Sequence, residues 1–242
     1  MAKIERNPNL GGVRIGLIIP SVNTTIEPEF ARIAPDGISF HAARVMLRET
    51  TPEGLRAMNA EVSSAARLIA SVNPRVVAFA CTSGSFLEGA AALKLQVAQI
   101  GAITACPVVA TSAVMIDALR ALGLCSIALA TPYLDVLNQI EKRYFESQGV
   151  RVVSVRGLGL SGAAIREVPP EEVCRLVRSA DRPEADGIFV SCTDFRAIET
   201  VALLEAELGK PVLTSNLVTL WGLLQACGRS MRRADLGRLF AA

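Results

Sequence analysis

Histidine is nearly missing from this chain: His41 is the single one in 242 residues. A histidine-rich metal site is thereby excluded, and any Ser-His-Asp or Cys-His arrangement has one candidate base. His41 lies in the strand-like stretch Ile38-Ser39-Phe40-His41-Ala42-Ala43-Arg44-Val45 and is assigned no catalytic role. No Cys-x-x-Cys pair occurs among the six cysteines, so zinc-type spacing is absent. Neither a G-x-G-x-x-G nor a Walker pattern is present, which leaves nucleotide binding without its usual signatures. Charge of one sign is not in excess: 25 Lys and Arg stand against 23 Asp and Glu, net +2. No basic stripe is interleaved with aromatics, so nucleic acid is not an expected partner. Arg229, Arg232, Arg233 and Arg238 are expected on the solvated face of a final helix. Residues 1–12 read as a polar leader with no apolar signal core. The longest uncharged run, Leu95 to Ile116, is interrupted by Pro107 and several polar residues. It reads as a helix end, a short strand and a new helix start, all buried. A cytoplasmic protein without a membrane span is expected.

What the chain does have is apolar mass, 51% of residues against 20% charged, enough for a substantial core. It also carries six cysteines, two of them placed alike. Val76-Val77-Ala78-Phe79-Ala80-Cys81-Thr82-Ser83-Gly84 is a run of β-formers ending at a thiol followed by hydroxyls and a glycine. Gly187-Ile188-Phe189-Val190-Ser191-Cys192-Thr193-Asp194 has the same shape. Each reads as a buried strand with a helix beginning just after the cysteine. Other landmarks recur in the same order. Arg14 to Pro20 is echoed by Ser126 to Pro132, Pro107 to Ser112 by Pro211 to Ser215, and Ala121-Leu122-Gly123 by Ala226-Cys227-Gly228. The pattern predicts two similar Rossmann-like α/β halves, 1–122 and 123–242, with the C-terminal helix able to pack back on the first. Each half would hold a short parallel sheet flanked by helices. The site is expected in the cleft between them, beyond the carboxyl ends of the strands.

Two thiols across one cleft can divide labour, one as thiolate and one as proton source. A helix starting at each cysteine would lower the thiol pKa. Cys81 and Cys192 are therefore the candidate catalytic pair. Thr82, Ser83 and Thr193 offer hydroxyl donors for a substrate carboxylate. Asn23, Thr24, Thr214, Ser215 and Asn216, at the ends of other strands, could do the same. The Ser21-to-Glu29 junction is rich in N-cap residues, and its free N–H groups favour an anion. Tyr133, one of two tyrosines, is placed to offer its phenol to the cleft. Asp194, Arg196 and Glu199 are expected on a solvated helix face. Cys106, Cys125, Cys174 and Cys227 are expected to be small buried hydrophobes.

These motifs resemble the aspartate/glutamate racemase superfamily and, within it, the maleate cis-trans isomerases. The resemblance runs from Pro20-Ser21-Val22-Asn23-Thr24-Thr25 through the two cysteine motifs and Gly209 to Asn216, with Trp221, to Gly237-Arg238-Leu239-Phe240. It implies thiolate addition by Cys81 to an alkene carbon of maleate, proton transfer by Cys192, carboxylate binding by Asn23 and Tyr133, no cofactor and a homodimer. The related arylmalonate decarboxylases keep only the second cysteine. One departure stands out: where the family places an asparagine after the strand at Arg151 to Val155, Gly162 stands here. A larger or differently substituted diacid could use that space. The residues alone leave two other readings open. One is a two-thiol racemase or epimerase of a small carboxylate such as an amino acid; the other is a non-catalytic small-acid binding protein.

Overall fold

The computed structural model describes residues 11–241; most of the expected leader lies outside them. Eight strands form two four-stranded, wholly parallel sheets. The first contains β1 (Val13–Pro20), β2 (Ile38–Val45), β3 (Val76–Phe79) and β4 (Val108–Ala110), in the order β2-β1-β3-β4. The second contains β5 (Ser126–Tyr133), β6 (Arg151–Leu160), β7 (Gly187–Val190) and β8 (Val212–Thr214), in the order β6-β5-β7-β8. The second order is the first repeated, so the echo seen in the sequence is a repeat of topology. The central strands β3 and β7 are buried at every residue, as expected of parallel strands covered on both faces. Their apolar runs have no polar alternation because neither face meets water.

The strand order reverses between β1 and β3, and again between β5 and β7. Ligands of open α/β sheets bind at such switch points. The four segments that leave these strands carry Asn23, Cys81 to Ser83, Tyr133, and Cys192 with Thr193. The two sheets are joined through their last helices. Thr111–Ala121 follows β4, Ser215–Ala226 follows β8, and they pack on each other; the second also reaches β3 and β4 of the first sheet. Gly222 permits this approach, since a Cβ there would lie 2.4 Å from Val114 Cγ2. Thr111 Oγ1 and Thr219 Oγ1 meet 2.9 Å apart at the same crossing.

Several expectations are corrected. The helix predicted from Thr51 to Ser71 is two, Pro52–Ala60 and Val62–Ala70. At Glu61 the chain tightens, its N–H bonding back to Met58 O, and the first piece turns so that Asn59 can donate to Gly84 O. The Leu95–Ile116 run is not all buried: Leu95 is 74% exposed on the helix Gly89–Thr104. Among the cysteines assigned to the core, Cys174 is buried, Cys106 and Cys227 are half-buried, and Cys125 is exposed. The C-terminal arginines share no long helix; only Arg238 opens a helix, the four-residue Arg238–Ala241. No helix among the described residues is long and apolar enough to cross a membrane.

Candidate active site

Cys81 and Cys192 line one enclosed pocket with Asn23, Thr82, Ser83, Tyr133 and Thr193, so all seven expected residues come together. Pro20, Val22, Leu47, Thr50, Gly162, Ile165 and Asp194 complete the wall. The enclosed volume is about 20 Å3, space for about one water. Among the described residues no lysine, arginine or histidine lines it. His41 sits on β2 instead, its Nε2 3.0 Å from Ser39 Oγ.

The two thiols are held differently. Cys81 caps the short helix Thr82–Phe86, and the Gly84 N–H donates to its Sγ at 3.3 Å. A Cβ at residue 84 would lie 3.0 Å from that sulfur, so glycine keeps the approach open. No helix follows Cys192, contrary to expectation; a loop runs to the 3-10 turn Ile198–Thr200. Cys192 itself has φ +92°, in a region a side chain adopts only under constraint. The Cys192 N–H donates to Ser215 Oγ and the Asp194 N–H to Cys192 Sγ, at 3.0 and 3.4 Å. Neither thiol is lowered as the helix argument required. Burial pushes Cys81 up to about 11, with the Gly84 N–H and Ser83 opposing it. Burial and then the Asp194 charge push Cys192 higher still. For both thiols desolvation outweighs the hydrogen bonds that would lower them.

Hydroxyls and amides tie the halves together around the pocket. Asn23 Oδ1 accepts from the N–H groups of Thr25 and Ile26, while its Nδ2 donates to Thr193 Oγ1 at 3.1 Å. Thr193 in turn donates to Ala80 O at 3.1 Å. Thr82 Oγ1 donates to Ser215 Oγ at 2.9 Å. Ser215, Thr214 and Asn216 support from behind and do not line the pocket. Thr214 caps the helix Ser215–Ala226, and Asn216 donates to Glu29 and to Thr193 O. The carbonyls of Ser21, Val22 and Asn23 accept from Arg44 and Arg166. The anion expected at the Ser21-to-Glu29 junction is a protein group: Asp194 Oδ1 accepts from the Thr24 N–H and the Thr25 hydroxyl at 2.8 and 3.0 Å. Asp194 is 6% exposed and not on a solvated face; Arg196 and Glu199 are exposed as expected. Over the pocket, Thr50 and the Ser161–Gly162 turn exchange hydrogen bonds, and Gly162 has φ +58°.

A family model described as arylmalonate decarboxylase matches residues 15–240. The chain belongs to the arylmalonate decarboxylase family. It is 31% identical over 230 residues to an arylmalonate decarboxylase of Bordetella bronchiseptica, covering 93% of this chain and 95% of that one. It is 30% identical over 243 residues to a maleate isomerase of Nocardia farcinica, covering 95% and 96%. A solved maleate isomerase of Pseudomonas putida, a cysteine-to-alanine variant with maleate, superposes with a TM-score of 0.91 at 25% identity, over 95% of this chain and 97% of that one. A cysteine-to-serine mutant of the Nocardia farcinica maleate cis-trans isomerase carries a covalently bound succinylcysteine intermediate. It superposes with a TM-score of 0.87 at 29% identity, over 95% and 98%. The α/β fold of the two sheets is that of these relatives. Within the family this chain is an isomerase, an enzyme acting on a small molecule.

Proposed function

We propose that this family member is a cofactor-independent cis-trans isomerase of maleate, or of a close dicarboxylate analogue, in which Cys81 adds to the alkene and Cys192 moves the proton. One observation carries the reading: two thiols from corresponding strand ends of two repeated sheets open into a single closed pocket. Their unequal environments suggest which does what. Cys81 receives an N–H at the start of a helix and is the easier to ionise. Cys192 has Asp194 beside it, resists ionisation more, and keeps its proton. The Cys81 thiolate forms a C–S bond to one alkene carbon, and the electron pair of the double bond takes a proton from Cys192 at the other. The remaining single bond turns by half a revolution. The Cys192 thiolate removes a proton, Cys81 leaves with its bonding pair, and the trans acid results. The Thr82 and Thr193 hydroxyls, spent on Ser215 and Ala80 O, fix the surrounding wall, while one carboxylate is held by Tyr133 and Ser83 and the other by Asn23. Asn23 Nδ2 has a second hydrogen left for this after its bond to Thr193.

A succinylcysteine is what thiolate addition plus one proton makes of maleate, so the covalent species on the Nocardia farcinica relative fits the same route. Intact-protein mass spectrometry after mixing Cys192→Ala with maleate tests the reading. A mass gain of one maleate that maps to Cys81 is expected. Deuterium exchange into an amino acid, with no adduct under any condition, would replace it with racemisation.

A further inference from the structure

Behind the pocket lies a carboxyl group that the reaction above does not use. Glu141, on the helix Asp135–Ser147, is fully buried. Its Oε1 lies 2.6 Å from Ser191 Oγ, and its Oε2 has no partner. Ser191 is the residue before Cys192. On its other side stands the Tyr133 phenol, which completes no hydrogen bond within the protein although Tyr133 is 1% exposed and lines the pocket. The phenol lies near enough to interact with both Ser191 and Cys192. An unpartnered donor aimed into a pocket expects an acceptor there, and an anionic ligand is one. Which way the Tyr133 hydrogen points depends on what stands behind it.

We propose that Glu141 is held as a neutral carboxylic acid and orients a chain of hydroxyl donors, Glu141 to Ser191 to Tyr133, that ends on a carboxylate in the pocket. As an acid, Glu141 donates to Ser191 Oγ, Ser191 is then free to donate to the phenol oxygen, and the phenol hydrogen is committed to the pocket. As a carboxylate, Glu141 must accept from Ser191. Ser191 Oγ then accepts from Tyr133, and the phenol no longer serves the ligand. Glu141 touches no reacting atom, so it is a positioning residue. Burial holds its carboxyl up at about 8, with the Ser191 hydroxyl opposing, so the acid form prevails at neutral pH. An apolar site that keeps a carboxylic acid protonated so that it can donate has precedent in enzyme chemistry. The other groups facing this chain titrate elsewhere: Cys81 near 11, Cys192 higher, and Tyr133 pushed by burial well above its ordinary 10. Asp194, beyond Cys192, is held from the Thr24 and Thr25 side. Glu29, raised to about 7, reaches the site only through Asn216. Tyr144, on the same helix, interacts with Asp117 and Arg120 rather than with Glu141.

The proposal rests on a carboxylate ligand, as in the function above, and its test separates the two. The probe is succinate, which has no double bond to isomerise, titrated calorimetrically into the full chain between about pH 6.5 and 9.5. Affinity should fall about 10-fold or more above pH 8, as expected when a hydrogen bond to a charged group is lost. Binding at pH 9 should take up a proton, because ligand and proton favour each other's form of the site. Both effects should vanish in E141Q, while a component near pH 7 that survives there belongs to Glu29. S191A keeps Glu141 but cuts the chain, so it too should lose the pH dependence; this arm stands if E141Q does not fold. A fall in affinity centred near pH 8 that persists in either variant, or a wild-type profile that is flat there, would overturn the proposal. A ligand-free readout decides the protonation state separately. The wild-type minus E141Q infrared spectrum should show a protonated-carboxyl band at pH 7 that is lost above pH 8. Its absence overturns the proposal whether or not succinate binds, and succinate failing to bind at every pH while the band is present, titrates and persists in S191A would also overturn it, since the donor chain would then end on no carboxylate.

Discussion

Thr193→Val tests the joint between the halves. Valine keeps the shape of threonine and removes its hydroxyl. That hydroxyl accepts from Asn23 Nδ2 and donates to Ala80 O, both at 3.1 Å. Asn23, Ala80 and Thr193 are 0%, 0% and 2% exposed, so water does not replace what is lost. Two buried groups left without this partner cost roughly 1–3 kcal/mol each, or about 2–6 kcal/mol together. Thr193→Ser makes the opposite change, keeping the hydroxyl and deleting one buried methyl, for about 1 kcal/mol. Valine should therefore be worse than serine by at least ~1 kcal/mol, although it is the better filler of space. For a chain of this size that is a difference of roughly 2–4 °C in Tm per kcal/mol. Asn23 cannot simply turn away, because its Oδ1 holds two N–H groups at the start of the helix Ile26–Ile33. It stays in place with a loosened amide, so substrate affinity should fall in valine and be largely kept in serine. Urea unfolding read by circular dichroism gives the stabilities, and initial rates give the KM change. If serine proves as damaging as valine, packing rather than the hydrogen-bonded joint holds this corner, and the reasoning fails.

Glu141 makes stability pH-dependent in a definite direction. Its carboxyl rises from an ordinary 4.5 to about 8 on folding, so the native state keeps a proton that the unfolded chain gives up. That stability is fully present below pH 4.5 and is lost as pH rises through 8, on the order of 3–5 kcal/mol. E141Q should flatten the decline in urea melts between pH 4.5 and 9, leaving the smaller slope that Glu29, raised to about 7, contributes in the same sense. A second expectation concerns the helix crossing. Gly222→Val would drive a side chain into Val114 and Val109, whose atoms lie 2.4 and 3.2 Å from a Cβ there. A loss of about 1–3 kcal/mol should follow despite the better space filling, and a neutral result in a melting experiment would mean the helices are free to separate. A third concerns thiol order. In the native protein iodoacetamide should label exposed Cys125 first and buried Cys81, its thiol pushed up to about 11, well after it. Labelling of Cys81 as fast as Cys125, by peptide mapping, would contradict its burial and its suppressed ionisation.

The repeat was readable because the features that mark it are local and paired. β-formers run to a thiol at Cys81 and Cys192, and proline and hydroxyls sit at corresponding strand ends. Repeated sheet order then brings those ends to two switch points, so the seven site residues follow from topology. The environment of each was not readable. N-cap spacing after Cys81 and Cys192 suggested lowered thiol pKa values, but burial is set by residues far along the chain and outweighs the local hydrogen bonds. Asp194 looked like a surface charge because its binding partners, Thr24 and Thr25, lie in the other half. Glu141 did leave a trace. On the helix Asp135–Ser147 the buried positions are Leu137, Asn138, Glu141, Tyr144 and Phe145. A glutamate at that spacing, on a stripe otherwise fit for the core, is the kind of local conflict that marks a functional site.

The two halves share a scaffold but not a local structure at the thiols, and the difference explains the division of labour better than the cysteines themselves. After β3 the chain enters a helix at once, which turns the Gly84 N–H toward Cys81. After β7 it cannot, because Cys192 is at φ +92°; the loop that follows places Asp194 beside the sulfur. A symmetric pair of thiols would share one proton evenly and neither would be a good acid or a good nucleophile. Each sulfur accepts one N–H, from Gly84 and from Asp194; burial raises both thiols, and the Asp194 carboxylate raises the second further. The backbone at Cys192, held at φ +92°, is therefore not an incidental cost of the fold: it leaves a repeated sheet with two unlike sulfurs on one pocket.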